Sequence, residues 1–88
     1  MKRINKKEDF SLFVDPAAFD QPVDFVWLFG RPAPIQIEIG SGKGTFLLSQ
    51  AAAFPQVNFL GIEWTRKYCR FAADRMARHG LTNVRLIR

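Results

Sequence analysis

The stretch that decides the fold is "IQIEIGSGKGTFLLSQAAAF", residues 35–54. Its first five residues alternate isoleucine with polar side chains, which predicts a strand that carries the isoleucines on one face. A glycine-rich turn follows, and residues 45–54 are good helix formers up to Pro55, which predicts a helix that ends there. A strand, a tight glycine turn and a helix in this order are typical of the start of a ligand-binding α/β unit.

The sequence that follows repeats this alternation of strand and helix. Residues 57–63 and 83–88 are predicted strands, and residues 66–79 are a predicted helix between them. Thr65 stands at the N-cap position of that helix, and Gly80 follows its C-terminal end. Parallel strands joined by right-handed helical connections are the usual outcome of such an order. The predicted fold class is therefore α/β, the N-terminal βαβαβ half of a doubly wound, Rossmann-like parallel sheet.

The N-terminal third has a different character. We predict that residues 1–34 form an extension and that residues 35–88 form a partial Rossmann-like domain. The extension has no sustained hydrophobic period, and the segment "FVWLFG" at 25–30 predicts a short helix or turn that packs across the edge of the sheet. Three aromatic side chains of this segment are expected to be packing residues and not a platform for bases: Phe25, Trp27 and Phe29.

Composition limits the classes of protein to consider. The chain of 88 residues has one cysteine and no Cys/His cluster with metal-ligand spacing, so we expect no metal site and a reducing, cytoplasmic setting. No apolar run is long enough for a membrane span. The net charge is +5, and residues 64–88 alone contain seven basic residues and one acidic residue. This end of the chain would attract a polyanion such as RNA, unless its arginines only solvate a helix face.

The glycine loop at residues 40–45, "GSGKGT", resembles the end of a phosphate-binding P-loop. The P-loop pattern G-x-x-x-x-G-K-[ST] requires a glycine at position 37, which is Ile37, and a hydroxyl at position 44, which is Gly44. Glu38 would also repel a triphosphate. A nucleotide kinase therefore remains only an alternative, beside a non-catalytic RNA-binding remnant.

The spacing that is present, E-x-G-x-G-x-G, suits a different ligand. Alternate glycines allow the backbone to turn sharply close to a ligand, and Glu63 at the end of the next strand can accept ribose hydroxyls. A ligand that is cationic at sulfur and has no phosphate tolerates the acid of Glu38, which points to S-adenosylmethionine. Trp64 is a candidate for the adenine side, although it could be a core residue, and both acids could instead be helix or turn caps. The candidate cofactor-binding residues are Glu38, Gly40, Gly42, Gly44 and Glu63.

From about Phe13 to its end, the chain resembles the bacterial tRNA (guanine-N7-)-methyltransferase family. The resemblance is carried by the motifs E-I-G-x-G-K-G-x-F-L-L, P-x-x-N-F-x-G-I-E and G-L-x-N-V-R-L, and by the segment "VDFVWLFGRPAP" before the first of them. The resemblance implies a class I methyltransferase fold, S-adenosylmethionine as methyl donor, and methylation of N7 of a guanine in tRNA. It also implies that Glu38 and Glu63 are cofactor ligands. Ser41 stands where the family often has cysteine.

The family pattern continues beyond Arg88, and its catalytic aspartate and adenine-binding residue belong to that continuation. We therefore expect no catalytic residue in this chain. Basic residues of the predicted helix are candidates for tRNA binding: Lys67, Arg70 and Arg78. Made alone, the 88-residue chain is expected to transfer no methyl group and to fold poorly, because the strand at 35–39 would present an open edge that favours aggregation.

Overall fold

The computed structural model describes residues 8–19 and 22–88, and its centre is a four-stranded parallel sheet. The strands are β1 (Phe13–Val14), β2 (Ile35–Ile39), β3 (Asn58–Ile62) and β4 (Val84–Ile87), in the spatial order β1-β4-β3-β2. The helices are a short 3-10 helix (Pro16–Phe19), α1 (Phe25–Phe29), α2 (Thr45–Ala53) and α3 (Arg66–Arg78). The predicted α/β class and the parallel alternation from β2 to β4 are confirmed. In the described part of the chain, every helix is too short or too polar to cross a membrane.

The two edges of the sheet have different origins. β2 is an edge strand, as predicted, with β3 as its neighbour. β1 forms the opposite edge and pairs in parallel with β4, with Phe13 opposite Leu86 and Val14 opposite Ile87. This strand was not predicted, because two residues are too few to show an alternating pattern. The N-terminal segment thus contributes directly to the sheet.

Helices α2 and α3 cover one face of the sheet. Four side chains of α3 face inward with no more than traces of solvent exposure: Cys69, Ala72, Ala73 and Met76. They pack with Leu47 of α2 and with Phe59 and Leu86 of the sheet. The predicted glycine after α3 is confirmed, since Gly80 has φ +72° and its amide donates to the Ala77 carbonyl at 2.9 Å. We call this side of the sheet the helix-covered face.

The other face of the sheet is covered only in part, by α1. Leu28 and Phe29 are buried against Leu60 and Ile87. Two expectations were wrong. The segment packs on the face above β3 and β4 and not across the sheet edge, and Trp27 is 74% exposed because the inward positions of this one-and-a-half-turn helix are Leu28 and Phe29. We call this side the open face.

Local hydrogen bonds explain why so short a helix forms. The carboxylate of Asp24 accepts a hydrogen bond from the Trp27 amide at 3.0 Å, which caps the N-terminus of α1. Gly30 ends the helix in the left-handed conformation, and its amide donates to Val26. The guanidinium of Arg85 in β4 donates to the Leu28 carbonyl at 2.9 Å. The two caps stabilise α1, and the Arg85 bond fixes it to the sheet.

Candidate cofactor-binding site

The strand register brings the sequence-predicted residues to one edge of the sheet. Ile39 lies opposite Ile62, and Ile62 lies opposite Ile87, so three strands end in the same row. Ligands of open parallel sheets bind beyond the carboxyl ends of the strands. The residues that follow this row, in order across the sheet, are Gly40, Glu63 and Arg88.

The glycine loop turns through three left-handed glycines, with φ of +77° at Gly40, +58° at Gly42 and +82° at Gly44. Gly44 is also tightly packed, since an added Cβ would lie 2.9 Å from the Ala72 Cβ and 2.5 Å from the Met76 Cε. At Gly40 and Gly42 an added Cβ would meet no atom within 4 Å. The loop is therefore anchored on α3 at one end and open at the other, where a ligand could lie against the backbone.

Glu63 connects the glycine loop to α3. Its side chain is 6% exposed, and its Oε1 accepts a hydrogen bond from the Gly42 amide at 2.7 Å. Its Oε2 accepts one from the Thr65 amide at 2.6 Å, at the start of α3. These amides, that of Thr65 first, hold the pKa of Glu63 below its ordinary value in spite of burial.

The hypothesis that Glu63 caps the next helix and the hypothesis that it binds a ribose are compatible. The Thr65 amide bond is such a cap, whereas the Thr65 side chain makes no capping hydrogen bond. Each carboxylate oxygen can accept two hydrogen bonds, so each oxygen of Glu63 keeps capacity for a hydroxyl group. A buried, ionised carboxylate at this edge suits a ligand with neighbouring hydroxyls.

The hydrogen bonds of the loop amides distinguish between the two classes of ligand considered for this loop, a phosphate and a cationic ligand without phosphate. The Gly40 and Ser41 amides donate to the Ile62 carbonyl, at 2.7 and 3.3 Å, and the Gly42 amide donates to Glu63. In a P-loop such amides point at phosphates, and here they are engaged within the protein. A carboxylate bonded to the loop would also repel a triphosphate. The geometry favours a cationic ligand without phosphate.

Glu38 lies apart from these contacts. Its side chain lines a cavity of about 140 Å³ between β2 and α2, together with Phe46 and Gln50. Burial raises the pKa of Glu38 above its ordinary value. Among the described residues no hydrogen bond joins its carboxylate to the glycine loop. The structure therefore brings Glu63 and the glycines together and places Glu38 beside them, on the helix-covered face.

The Ser41 side chain of the loop lies next to Gly61 of β3, and sequence reasoning gave neither residue a role in shaping the loop. The Ser41 Oγ is buried, with no hydrogen-bond partner among the described residues. An added Cβ at Gly61 would lie 3.3 Å from that Oγ and 2.5 Å from the Leu47 Cδ2. Gly61 thus gives the loop and α2 the space to approach β3. A small residue near the end of β3 was the only signal for this in the sequence.

Trp64 is not a core residue, because 89% of its side chain is exposed. It borders a groove of about 260 Å³ with Pro16 and Arg88, and the Arg88 Nε donates to the Trp64 carbonyl at 3.3 Å. The groove lies at the same edge of the sheet as Glu63. A planar group bound next to Glu63 could contact the indole.

The candidate RNA-binding residues lie together on one flank of α3, and all three are exposed. The guanidinium of Arg70 lies 5.1 Å from the centroid of the Phe10 ring. The Nε of Arg78 lies 2.9 Å from both carboxylate oxygens of Asp74. Lys67 lines a shallow groove with Arg70 and Glu8. This flank therefore packs in part against the N-terminal segment.

A feature beside this flank of α3 was missed. The Nζ of Lys43 lies 5.6 Å from the centroid of the Tyr68 ring and 5.9 Å from that of Phe71. Sequence reasoning considered Lys43 only as a P-loop lysine. The spacing of the two aromatic residues by three positions on a helix was the available signal, because such residues share a face.

These features define a Rossmann-like α/β protein with a glycine loop at the carboxyl ends of its parallel strands. A family model described as "Putative methyltransferase" matches residues 32–88, and the chain belongs to this methyltransferase family.

The chain is also similar to curated relatives that are named tRNA (guanine-N(7)-)-methyltransferase. It is 46% identical over 74 residues to the protein of Pseudomonas fluorescens (strain Pf0-1), which is 84% of this chain and 30% of the relative. It is 40% identical over 68 residues to that of Myxococcus xanthus (strain DK1622), which is 77% of this chain and 33% of the relative. The chain thus spans about a third of the length of these relatives.

Proposed function

We propose that this chain forms the S-adenosylmethionine-binding N-terminal part of a tRNA (guanine-N7-)-methyltransferase. The observation that carries the proposal is the bond between the Glu63 carboxylate and the Gly42 amide at the carboxyl edge of the sheet. It combines an acid, an open glycine loop and a parallel sheet in one place. The names of the relatives support the reaction and the RNA substrate.

The residues of the chain fit this cofactor. Open space above Gly40 and Gly42 accepts a group against the backbone, and the anionic Glu63 suits ribose hydroxyls. The acids of this region, Glu38 and Glu63, suit a ligand whose sulfonium and ammonium are both positive. Trp64 is available to the adenine. We assign Gly44 to the packing that holds the loop in place.

For this methyl transfer the protein mainly has to position the two reactants. S-adenosylmethionine supplies an electrophilic methyl group, and N7 of guanine supplies the electron pair. Catalysis then comes mainly from holding donor and acceptor in line, which proximity and orientation alone can accelerate strongly. The glycine loop and Glu63 would fix the donor side of this arrangement.

Isothermal titration with S-adenosylhomocysteine tests the cofactor site. Glu63→Ala should abolish measurable binding, because it removes both the acceptor for the ribose and the anchor of the Gly42 amide. Glu8→Ala, an exposed acid away from the glycine loop, is the matched control and should leave the affinity unchanged. Magnesium-dependent ATP binding that is lost in Lys43→Ala would contradict the proposal and favour the kinase.

We further propose that the flank with Lys67, Arg70 and Arg78 approaches tRNA phosphates. The affinity for tRNA should then fall steeply with salt, and changing the three residues to alanine should weaken binding of different tRNAs to a similar degree. Binding that does not depend on salt would leave these side chains as a solvated surface. The reducing cytoplasm, where tRNA is found, suits the single thiol of Cys69.

A further inference from the structure

One surface of α3 is built from residues that the cofactor site does not use. Tyr68 is 39% exposed and Phe71 is 49% exposed, whereas Cys69 and Ala72 between and beside them are fully buried. Both rings lie under the ammonium group of Lys43. We call Lys43, Tyr68 and Phe71 the aromatic-basic cluster.

The cluster is continuous with the cofactor site. Lys43 stands between Gly42 and Gly44 in the glycine loop, so its backbone is part of the loop that Glu63 holds. The guanidinium of Arg75, one turn further along α3, donates to the Thr45 hydroxyl at 3.1 Å, which ties the same flank to the start of α2. A ligand on the cluster would lie next to a ligand in the loop.

Charge indicates what kind of ligand this is. In residues 8–19 and 22–88 the ion pair of Arg78 with Asp74 is the only one, so Lys43 has no carboxylate partner in this part of the chain. The region from Trp64 to Arg88 adds an excess of positive charge. Lysine is depleted from the cores of protein–protein interfaces, which argues against a protein partner at this surface. A lysine above exposed aromatic rings is typical of surfaces that bind a phosphate and stack a base.

We propose that the aromatic-basic cluster binds a nucleotide of single-stranded RNA, with the ammonium of Lys43 on a phosphate and the ring of Tyr68 or Phe71 against a base. The choice of RNA as the ligand rests on the proposed function, whereas the position of the binding surface rests on the geometry of the cluster alone. Phe71 stands one helical turn after Lys67, so the cluster adjoins the flank with Lys67, Arg70 and Arg78, and one RNA strand would contact both. The basic flank supplies charge, and the neighbouring cluster supplies stacking.

Fluorescence anisotropy with a fluorescein-labelled single-stranded RNA of roughly ten nucleotides tests the proposal. Stacking of one base is worth roughly 1–3 kcal/mol, so Tyr68→Leu or Phe71→Leu should weaken binding about 5- to 150-fold. The dependence of affinity on salt should stay as in the unmodified chain, because no charge is removed. Lys43→Gln should instead lower the salt slope by about one.

Phe54→Leu is the matched control, since Phe54 is a similarly exposed aromatic residue (45%) outside the cluster. It should bind RNA like the unmodified chain. Equal RNA affinity of the ring variants and the unmodified chain would overturn the proposal, and so would an equal loss in the Phe54 control. Sedimentation that shows self-association lost in the ring variants, with RNA affinity unchanged, would assign the surface to a second copy.

Two further measurements separate a loss of RNA contacts from a loss of folding or of cofactor binding. The buried thiol of Cys69 should stay unreactive in each variant, which shows that α3 is still packed. If a ring variant fails this check, Lys43→Gln, at an exposed loop position, takes its place as the deciding variant. RNA binding that needs the cluster, in a chain that does not bind S-adenosylhomocysteine, would sustain this inference and contradict the proposed cofactor site.

Discussion

The two faces of the sheet are built from similar apolar residues but differ in how far those residues are exposed to solvent. On the open face, Ile39, Ile62 and Ile87 form one row, yet Ile39 is 81% exposed and Ile87 is 7% exposed. On the helix-covered face, Leu47 and Leu86 are almost completely buried. The reason is coverage. Two helices span one face, and a single helix of five residues covers part of the other.

This difference separates stability from function in the molecule. The helix-covered face contains the packing that supports the glycine loop, because Met76 and Ala72 lie directly under Gly44. The open face contributes little to that support near β2. Substitutions should therefore have effects that depend on the face and not on the residue type.

The largest effect is expected for Met76→Ala, which empties a fully buried site under the glycine loop. Loss of a buried methionine side chain costs about 2–5 kcal/mol of unfolding free energy. Trp27→Ala on the open face removes a larger but exposed side chain and should change stability by less than about 0.5 kcal/mol. Urea unfolding measures both, and comparable losses would contradict the contrast between the faces.

A smaller effect, of the opposite sign, is expected for Ser41→Ala. The Ser41 Oγ is buried on the helix-covered face without a partner among the described residues, and such a group costs about 1–3 kcal/mol. Removing it should raise the free energy of unfolding by about 1 kcal/mol. Ser11→Ala, at an exposed position, is the control. A destabilised Ser41→Ala protein would show that water satisfies the hydroxyl.

The two acids near the loop should respond to pH in opposite directions. Backbone amides lower the pKa of Glu63, so its contribution to stability is present above the ordinary glutamate pKa of about 4.3 and is lost as the pH falls through the lowered value. Burial raises the pKa of Glu38, which favours its protonated form. The contribution of Glu38 to stability is therefore present at low pH and is lost as the pH rises through the raised value.

Urea unfolding of Glu63→Gln and Glu38→Gln between pH 3 and pH 7 measures these contributions. Glu63→Gln should lose stability mainly at neutral pH, and Glu38→Gln should gain slightly there. The same direction of change in both variants at pH 7 would show that one of the two carboxyl environments is wrongly described.

The smallest effect on stability is expected for Ile39→Lys on the open face. The side chain is already exposed, so the free energy of unfolding should change by less than about 0.5 kcal/mol. Solubility should rise, because a lysine on an edge strand opposes pairing with other chains. Leu60→Lys, at a 2% exposed position of the same face, is the contrasting variant and should unfold the protein. Unchanged solubility of Ile39→Lys, measured by light scattering, would remove β2 as the source of aggregation.

Much of this molecule is predictable from local patterns. The elements from β2 to β4 follow from alternation, helix formers and caps, and the bounds differ from the predicted ones by one residue at most. The sequence predicts that Glu63 lies near the glycine loop, but it does not predict the hydrogen bond to the Gly42 amide. That bond depends on the parallel register, which determines which loop meets which strand end. The site residues were therefore predictable, whereas the contacts between their atoms were not.

The remaining features depend on tertiary contacts that leave no local pattern. β1 has two residues and exists because β4 offers an edge. Trp27 is exposed because α1 is too short to bury more than one side. Lys43 meets Tyr68 and Phe71 because the glycine loop folds back onto α3, which their spacing alone does not indicate.

The pairing of β1 with β4 determines the order in which the chain can assemble. Each neighbouring pair from β2 to β4 is joined by one helix, whereas β1 and β4 stand near opposite ends of the described chain. Contacts between distant segments form slowly because a long loop must close first. During synthesis β1 emerges before its partner β4, which is the last of these four strands along the chain. We therefore expect β1 to join the sheet last and to open first, so its amides should exchange with solvent before those of β3.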